Sequence, residues 1–233
     1  MQKKTIWYII LFIILAEFSV GDNRITSMLR HPLETVMMLA VLLIGLTVHE
    51  FAHAWMADRL GDPNPRLAGR VSLNPLVHLD PFGTLLIVLT GFGWGKPVQF
   101  DPYNLTNPDK DGAVIAAAGP ISNIILAIVS ALSLRFIPLG ISLGPVGQFL
   151  FLMFQYNINL AVFNLIPIYP LDGHHILRAF LDAPTRQRYD IFNRSIGMYL
   201  ALISMLPLIG GRSLVSLIMT PAINFAYMLF MSL

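Results

Sequence analysis

His49, Glu50 and His53 have the side-chain types and spacing that suit metal-dependent hydrolysis. On an α-helix, residues four apart lie on one face about one turn from each other, so the two imidazoles could share a tetrahedral Zn²⁺. Glu50 follows the first histidine directly and could accept a proton from a water molecule bound to that ion. The pattern therefore predicts a zinc hydrolase in which Zn²⁺ is the cofactor and Glu50 is the general base.

A catalytic zinc usually has three protein ligands, and Asp172 is the best candidate for the third. It follows an apolar segment whose end is broken by Pro167 and Pro170. A carboxylate at the edge of a membrane needs a cation or another partner. The chain has no cysteine, so a thiolate site is excluded. His174 and His175 are close enough in sequence to compete for the metal, although a role as outer partners of the ligands is favoured.

Several other polar or small residues could belong to a site. His78 and Asp80 could bind a metal, but their proline-rich surroundings favour a local role in turns. Asn164 could donate a hydrogen bond to the oxyanion that develops during hydrolysis. Asn123 is typical of polar contacts between membrane spans, and Gly119, with the proline that follows it, is typical of a close helix crossing or a kink.

The elements that must position these residues are membrane spans. Of the 233 residues, 55% are hydrophobic and only 12% are charged, whereas about 25% are charged in soluble domains. The composition and the length of the apolar segments predict an all-α membrane protein with a single polytopic domain over 1–233. Its six predicted spans are about 5–20, 34–57, 112–135, 146–168, 191–209 and 213–232. The first resembles a signal peptide but has no small-residue cleavage pattern, so we expect it to be retained as a span.

The long connection between the second and third spans is predicted to hold a small membrane-associated β element at about 66–101. Within it, 69–74 and 96–101 have the pattern of short strands, which could hold a substrate extended by β-addition. The stretch 82–95 is short and rich in glycine, so we do not count it as a span. It suits a re-entrant or interfacial segment.

The distribution of positive charge predicts the orientation of the chain. In the six-span arrangement, eleven of the 15 Lys and Arg residues lie on the side that holds the N-terminus. Because loops rich in Lys and Arg stay in the cytoplasm, we expect a multi-pass protein of the cell membrane with both termini and the active-site opening on the cytoplasmic side. The net charge of only +2 and the scattered basic residues argue against nucleic acid as a partner.

The chain resembles the site-2 protease family of intramembrane zinc metalloproteases, in its compact prokaryotic form without PDZ or CBS domains. The segments that carry the resemblance are His49–Ala54, Gly69–Pro75, Ala118–Asn123 and Asn164–Gly173. The resemblance implies that His49, His53 and Asp172 bind zinc. It also implies that Glu50 is the catalytic base and that Asn164 lies beside the active site. Family members often have a glycine or a small polar residue where this chain has its histidine pair after Asp-Gly.

The expected function is hydrolysis of peptide bonds in or near transmembrane segments of membrane proteins. The expected partners are a substrate with a transmembrane helix and the lipid bilayer. One alternative is a non-catalytic, zinc-containing membrane chaperone or adaptor that binds single-span helices, but a pure binding protein would not need Glu50. Another is a zinc transporter, but its ligands would be spread over several spans, whereas these cluster near one membrane boundary.

Overall fold

The computed structural model describes residues 24–90, 94–137, 144–206 and 212–231, and this part of the chain is mostly helical. In chain order, the helices are α1 (Arg24–Arg30), α2 (Pro32–Arg59), α3 (Asn64–Leu67), α4 (Pro81–Thr90), α5 (Pro108–Leu134), α6 (Pro145–Asn164), α7 (Asp172–Ala179), α8 (Ala183–Phe192), α9 (Met198–Ser204) and α10 (Leu214–Met231). Shorter turns of helix comprise two 3₁₀ turns, Pro75–Val77 and Pro102–Asn104, and a π-helical turn, Asn193–Gly197.

Helices α2, α5 and α6 are long and apolar enough to cross a membrane. They contain 28, 27 and 20 residues and coincide with the predicted spans 34–57, 112–135 and 146–168. Each has a proline in its first turn, where the fixed φ of the ring suits a helix and the missing N–H would have no partner. The prediction of apolar helices of spanning length is confirmed at these three places.

The remaining predicted spans are not confirmed. Residues 5–20 lie outside the described part of the chain. In the segment 191–209, the described residues form the end of α8, the π-helical turn and α9, which follow one another without a break as far as Ser204, and this segment is not among the helices long and apolar enough to cross a membrane. Helix α10 coincides with 213–232 and is apolar, but it is shorter than the three spans and contains Pro221. The count of six spans therefore stays a prediction.

Helix α5 packs against α2, α6 and α7 and so connects the elements that carry the site. Small residues allow this close packing, and Gly119 is the clearest case. A Cβ atom there would lie 2.4 Å from Nε2 of His53 and 2.7 Å from Cε1 of His49. Further along α5, Ala127 packs against Phe154 of α6 in an apolar cluster. The close helix crossing expected at Gly119 is present.

The two strands predicted at 69–74 and 96–101 are not formed. In this connection, the described residues form one isolated antiparallel bridge, between Leu79 and Gly95. Prolines interrupt the connection and cannot donate to a ladder, which explains why no longer pairing forms. They are Pro75, Pro81, Pro97 and Pro102. The expected β-addition of a substrate to these strands therefore has no strand to extend.

Side chains hold the same two segments together instead. The guanidinium of Arg70 donates to the backbone carbonyl of Lys96. The amide of Lys96 donates to the carbonyl of His78 at 2.7 Å, and the ring of His78 donates to the carbonyl of Ser72 at 2.7 Å. Hydrogen bonds of Arg70, His78 and Lys96 therefore connect the described parts of this loop. Helix α4 within it has ten residues, or about 15 Å, which is too short to cross a bilayer.

We expect Gly119→Ala to lower the stability of the fold and Gly112→Ala to leave it unchanged or raise it. The added methyl group at Gly119 would overlap the histidine rings, and such overpacking costs about 1–3 kcal/mol. At Gly112, in the same helix, the nearest atom would be Cζ of Phe100 at 3.7 Å, an ordinary contact. Thermal unfolding of the two detergent-solubilised variants measures the difference. Equal unfolding midpoints would contradict the close packing of α5 on α2.

Candidate metal centre and catalytic base

His49 and His53 lie one turn apart on α2, and Asp172 is the first residue of α7. The carboxylate oxygens of Asp172 lie 3.1 Å from Nε2 of His49 and 3.3 Å from Nε2 of His53. The two Nε2 atoms are 3.0 Å apart. Donor atoms around a tetrahedral zinc, bound at about 2.0–2.1 Å, are themselves roughly 3.3 Å apart. The spacing of the three side chains therefore fits a zinc ion.

The other ring nitrogen of each histidine faces an oxygen that can only accept. Nδ1 of His49 is 2.6 Å from Oδ1 of Asn123, and Nδ1 of His53 is 2.7 Å from the carbonyl oxygen of Ile115. Each Nδ1 must therefore carry a proton, which leaves the Nε2 of a neutral ring with its lone pair. Two lone pairs and a carboxylate that converge in this way suit a bound cation.

Asn123 takes its orientation from a chain of hydrogen bonds that crosses three helices. Its amide nitrogen donates to the carbonyl of Gly45 at 3.0 Å and to Oδ1 of Asn157 at 2.8 Å. Asn157 in turn donates to the carbonyl of Met153 at 2.8 Å. Because both backbone carbonyls only accept, they determine which way each amide points. The oxygen of Asn123 is thereby directed at His49.

Sequence analysis did not identify Asn157 as part of the site. The signal was present, because an amide inside an apolar helix needs hydrogen-bond partners. Sequence alone could not show that its partner is Asn123, which lies 34 residues away on α5. Both asparagines are buried, so water does not replace these bonds.

Glu50 is buried beside His49, and its closest charged neighbour is Arg70. Nη2 of Arg70 lies 3.6 Å from Oε2 of Glu50, which is beyond hydrogen-bonding distance. On the other side, Gly95 is so close that a Cβ atom there would lie 3.2 Å from Oε1. The carboxylate is therefore held in a narrow space between α2 and the loop that follows it. Arg70 was predicted only as part of a strand, and its contact with Glu50 was missed.

The first turn of α7 lies directly against the end of α6. A Cβ atom on Gly173 would lie 2.3 Å from the carbonyl oxygen of Leu165, so only glycine fits there. In the turn between the two helices, the amide of Tyr169 donates to Oδ1 of Asn193 at 2.9 Å. These contacts hold the backbone on both sides of Asp172, which places its carboxylate beside the histidines.

Ion pairs hold the other end of α7. Arg178 pairs with Asp190 of α8 at 3.0 Å and with Asp109 in the first turn of α5, and Asp109 also pairs with Arg186. Burial lowers the pKa of Arg178, but its hydrogen bonds to the two carboxylates raise the pKa by more, so the guanidinium remains charged. The network connects α7 to both neighbouring helices.

Comparison with known proteins agrees with this geometry. The family model described as Peptidase family M50 matches residues 139–208, a region that contains Asp172. YwhC of Bacillus subtilis, which is named as a candidate zinc metalloprotease, is 36% identical over 167 residues, covering 69% of this chain and 76% of the relative. The chain belongs to peptidase family M50. The resemblance to the site-2 protease family is confirmed, and the protein is a zinc metalloprotease.

Two further relatives of this M50 peptidase are also named as zinc metalloproteases or as candidates for that activity. Rip2 of Mycolicibacterium smegmatis is 31% identical over 159 residues, which cover 65% of this chain and 60% of Rip2. MJ0392 of Methanocaldococcus jannaschii is 25% identical over 186 residues, which cover 77% of this chain and 45% of MJ0392. No solved structure matches the peptidase significantly.

The remaining histidines of the loop and of α7 make other contacts. His174 is buried and stacks on Tyr189, with 4.9 Å between ring centroids. Burial and then the charge of His175 lower the pKa of His174 to about 4, so its ring is neutral near pH 7. His78 donates to a backbone carbonyl, and Asp80 accepts from the amide of Gly83 at the start of α4. Among the described residues, the group that could hold a metal comprises His49, His53 and Asp172.

Asn164 is the last residue of α6, and its amide nitrogen donates to the carbonyl of Leu160 in the same helix at 3.0 Å. Its side-chain oxygen and its second amide hydrogen are not used by this bond. The role of Asn164 at the developing oxyanion stays a prediction.

We expect Asn157→Leu to weaken zinc binding by about 10–100-fold, the usual effect of losing a partner that orients a ligand. Asn157→Asp should bind zinc more tightly than Asn157→Leu, because a carboxyl oxygen still accepts from Asn123 whether or not the group is protonated. Competition with a chelator measures the affinity. Ser130→Ala removes a buried polar group of α5 whose hydroxyl donates to the carbonyl of Leu126 in the same helix, and it should leave zinc affinity unchanged. Equal zinc affinity in the two Asn157 variants would contradict a role in orienting His49.

Proposed function

We propose that the protein hydrolyses peptide bonds in or near transmembrane segments of other membrane proteins. The observation that carries the proposal is the position of His49, Glu50 and His53 on α2, a helix long and apolar enough to cross a membrane. All three side chains are buried among helices α2, α5 and α7. A peptide bond that reaches them must therefore come from within or beside the membrane.

In this proposal, His49, His53 and Asp172 hold the zinc ion. When bound, the ion polarises a carbonyl group and lowers the pKa of a coordinated water towards neutrality. The hydrogen bonds from Nδ1 of both rings support this role, because they leave Nε2 as the nitrogen that binds the ion. His174 is placed to stabilise the neighbouring turn through its stack on Tyr189.

Glu50 acts as the general base. It accepts the proton of the attacking water as the water oxygen bonds to the peptide carbonyl carbon, and it then gives that proton to the leaving amine. The carboxylate suits this task because it is buried and its Oε2 has no hydrogen-bond partner in the described part of the protein. Asn164 donates its free amide hydrogen to the carbonyl oxygen as negative charge develops there.

The protein is further proposed to be a multi-pass protein of the cell membrane, with both termini and the opening of the site on the cytoplasmic side. The excess of Lys and Arg in the connections next to α2, α5 and α6 supports this orientation. The substrate is then a membrane protein with a transmembrane helix, which must be locally unwound because a helix keeps its carbonyl groups in hydrogen bonds.

Glu50→Gln should abolish cleavage of a co-expressed single-span substrate while zinc remains bound. Loss of a general base typically lowers the rate by 10²–10⁴-fold. Glu34→Gln is the matched control, because Glu34 lies in the first turn of the same helix and is exposed. Fragment analysis by mass spectrometry and metal analysis of the purified protein give the two readouts. Unchanged cleavage by Glu50→Gln would refute the mechanism, and absence of cleavage by the unmodified chain would favour the adaptor.

Asp172→Asn should lower zinc affinity by more than about 100-fold, because the loss of a direct ligand exceeds the effect of losing an outer partner. His175→Asn should change the affinity little, since the ring of His175 is edge-on to Phe100. Both variants change the first turn of α7, so each shows whether a substitution there lowers zinc affinity merely by disturbing the helix. Chelator competition measures both affinities. The opposite order would assign the third ligand to His175.

A further inference from the structure

Arg70 is a buried cation that lies beside the candidate general base. Only 6% of the residue is exposed, although arginine is rarely buried without a paired charge. Its nearest carboxylate is Glu50, at 3.6 Å from Nη2. At that distance the two side chains attract each other without sharing a hydrogen bond. Glu50 therefore keeps the free oxygen that a general base requires.

The two side chains of this ion pair each carry an unpaired polar atom. Oε2 of Glu50 and Nε of Arg70 are both buried, and neither has a hydrogen-bond partner in the described part of the protein. Buried polar atoms in native proteins are nearly always paired, so an unpaired acceptor beside an unpaired donor indicates a place for a polar ligand. Nη2 of Arg70, by contrast, already donates to the carbonyl of Lys96.

Backbone, and not a side chain, borders the carboxylate on the side of the loop between α4 and α5. The loop between α4 and α5 passes Glu50 at Gly95, which has no side chain, and Arg70 holds the next residue, Lys96, through its carbonyl. A peptide group has the complementary pair of atoms, because its carbonyl oxygen accepts and its N–H donates. The guanidinium is held through Nη2, and its Nε–H has no hydrogen-bond partner in the described part of the protein.

We propose that Arg70 is a catalytic residue that donates a hydrogen bond from Nε to the carbonyl oxygen of the scissile peptide. The inference rests on the proposed function. As the water oxygen bonds to the carbonyl carbon, the π electron pair moves onto the carbonyl oxygen and Glu50 takes the proton from the water. The permanent charge of Arg70 stabilises the oxyanion, since charge-assisted hydrogen bonds are stronger than neutral ones and strengthen further in a dry site. Arg70 thus acts together with the amide of Asn164.

Arg70→Ala tests the proposal by chemical rescue. We expect kcat for a purified single-span substrate to fall by about 10²–10³-fold, the usual effect of losing one oxyanion donor. Zinc content should be unchanged, and added guanidinium chloride at millimolar concentration should restore part of the rate, because a free guanidinium ion can enter the vacated space. Arg66→Ala is the matched control. Arg66 lies four residues earlier, is exposed and pairs with Asp58, so the change should leave kcat unaltered.

A second variant and a binding measurement keep the test decisive if Arg70→Ala does not fold. Arg70→Lys retains a positive charge near Glu50 and Lys96 but lacks Nε. It should therefore fold and bind zinc, yet show lower kcat with little change in KM. It should also bind a phosphinic peptide, which carries a tetrahedral anion in place of the scissile amide, at least tenfold more weakly. A wild-type kcat and unchanged phosphinic-peptide affinity in Arg70→Lys would overturn the proposal.

The same experiments separate this inference from the proposed function. If the unmodified chain cleaves the substrate and Glu50→Gln does not, the proposed function stands whatever Arg70 does. In that case, an Arg70→Ala enzyme that folds, retains zinc and keeps its full rate overturns only the role of Arg70. A loss of rate that guanidinium does not restore in the folded, zinc-loaded variant also overturns it.

Discussion

The close contact between α2 and α5 at Gly119 is the constraint on which the site depends. Without a side chain at this position, the rings of His49 and His53 can lie against α5, where the carbonyl of Ile115 and the amide of Asn123 meet their Nδ1 atoms. A pair of histidines on an isolated helix could rotate freely and take either tautomer. Packed against α5, both rings have one orientation, with a proton on Nδ1 and with Nε2 directed at Asp172.

The hydrogen bonds around the site are directional because they end at backbone carbonyls. The carbonyls of Gly45 and Met153 accept from Asn123 and Asn157, and this leaves one oxygen free to meet His49. In a low-dielectric interior such bonds are strong, and reversing one amide would leave polar atoms unpaired. The helices that surround the site with apolar side chains therefore also determine that Nδ1 of each histidine carries a proton.

The two sides of the candidate active site have different chemistry. On one side, two imidazoles and Asp172 present lone pairs and a negative charge, which suits a metal ion. On the other, Glu50 faces Arg70 and the backbone at Gly95, with unpaired polar atoms on both side chains. The loop after α2 is thus more than a connection between spans. It brings a positive charge to the carboxylate that lies next to the candidate metal ligands.

The sequence by itself determined the residue types of the site and the helices that carry most of them. The spacing of His49, Glu50 and His53, the prolines before Asp172 and the long apolar segments predicted a zinc hydrolase on an apolar helix, because these signals are local. Tertiary structure alone decided the contacts of Asn157 and Arg70, since each depends on a partner in a distant segment. The tertiary structure also decided that the described part of the loop forms no sheet. A strand pattern in the sequence shows only a preference for extended backbone, whereas pairing needs backbone N–H groups, which the prolines of this loop lack.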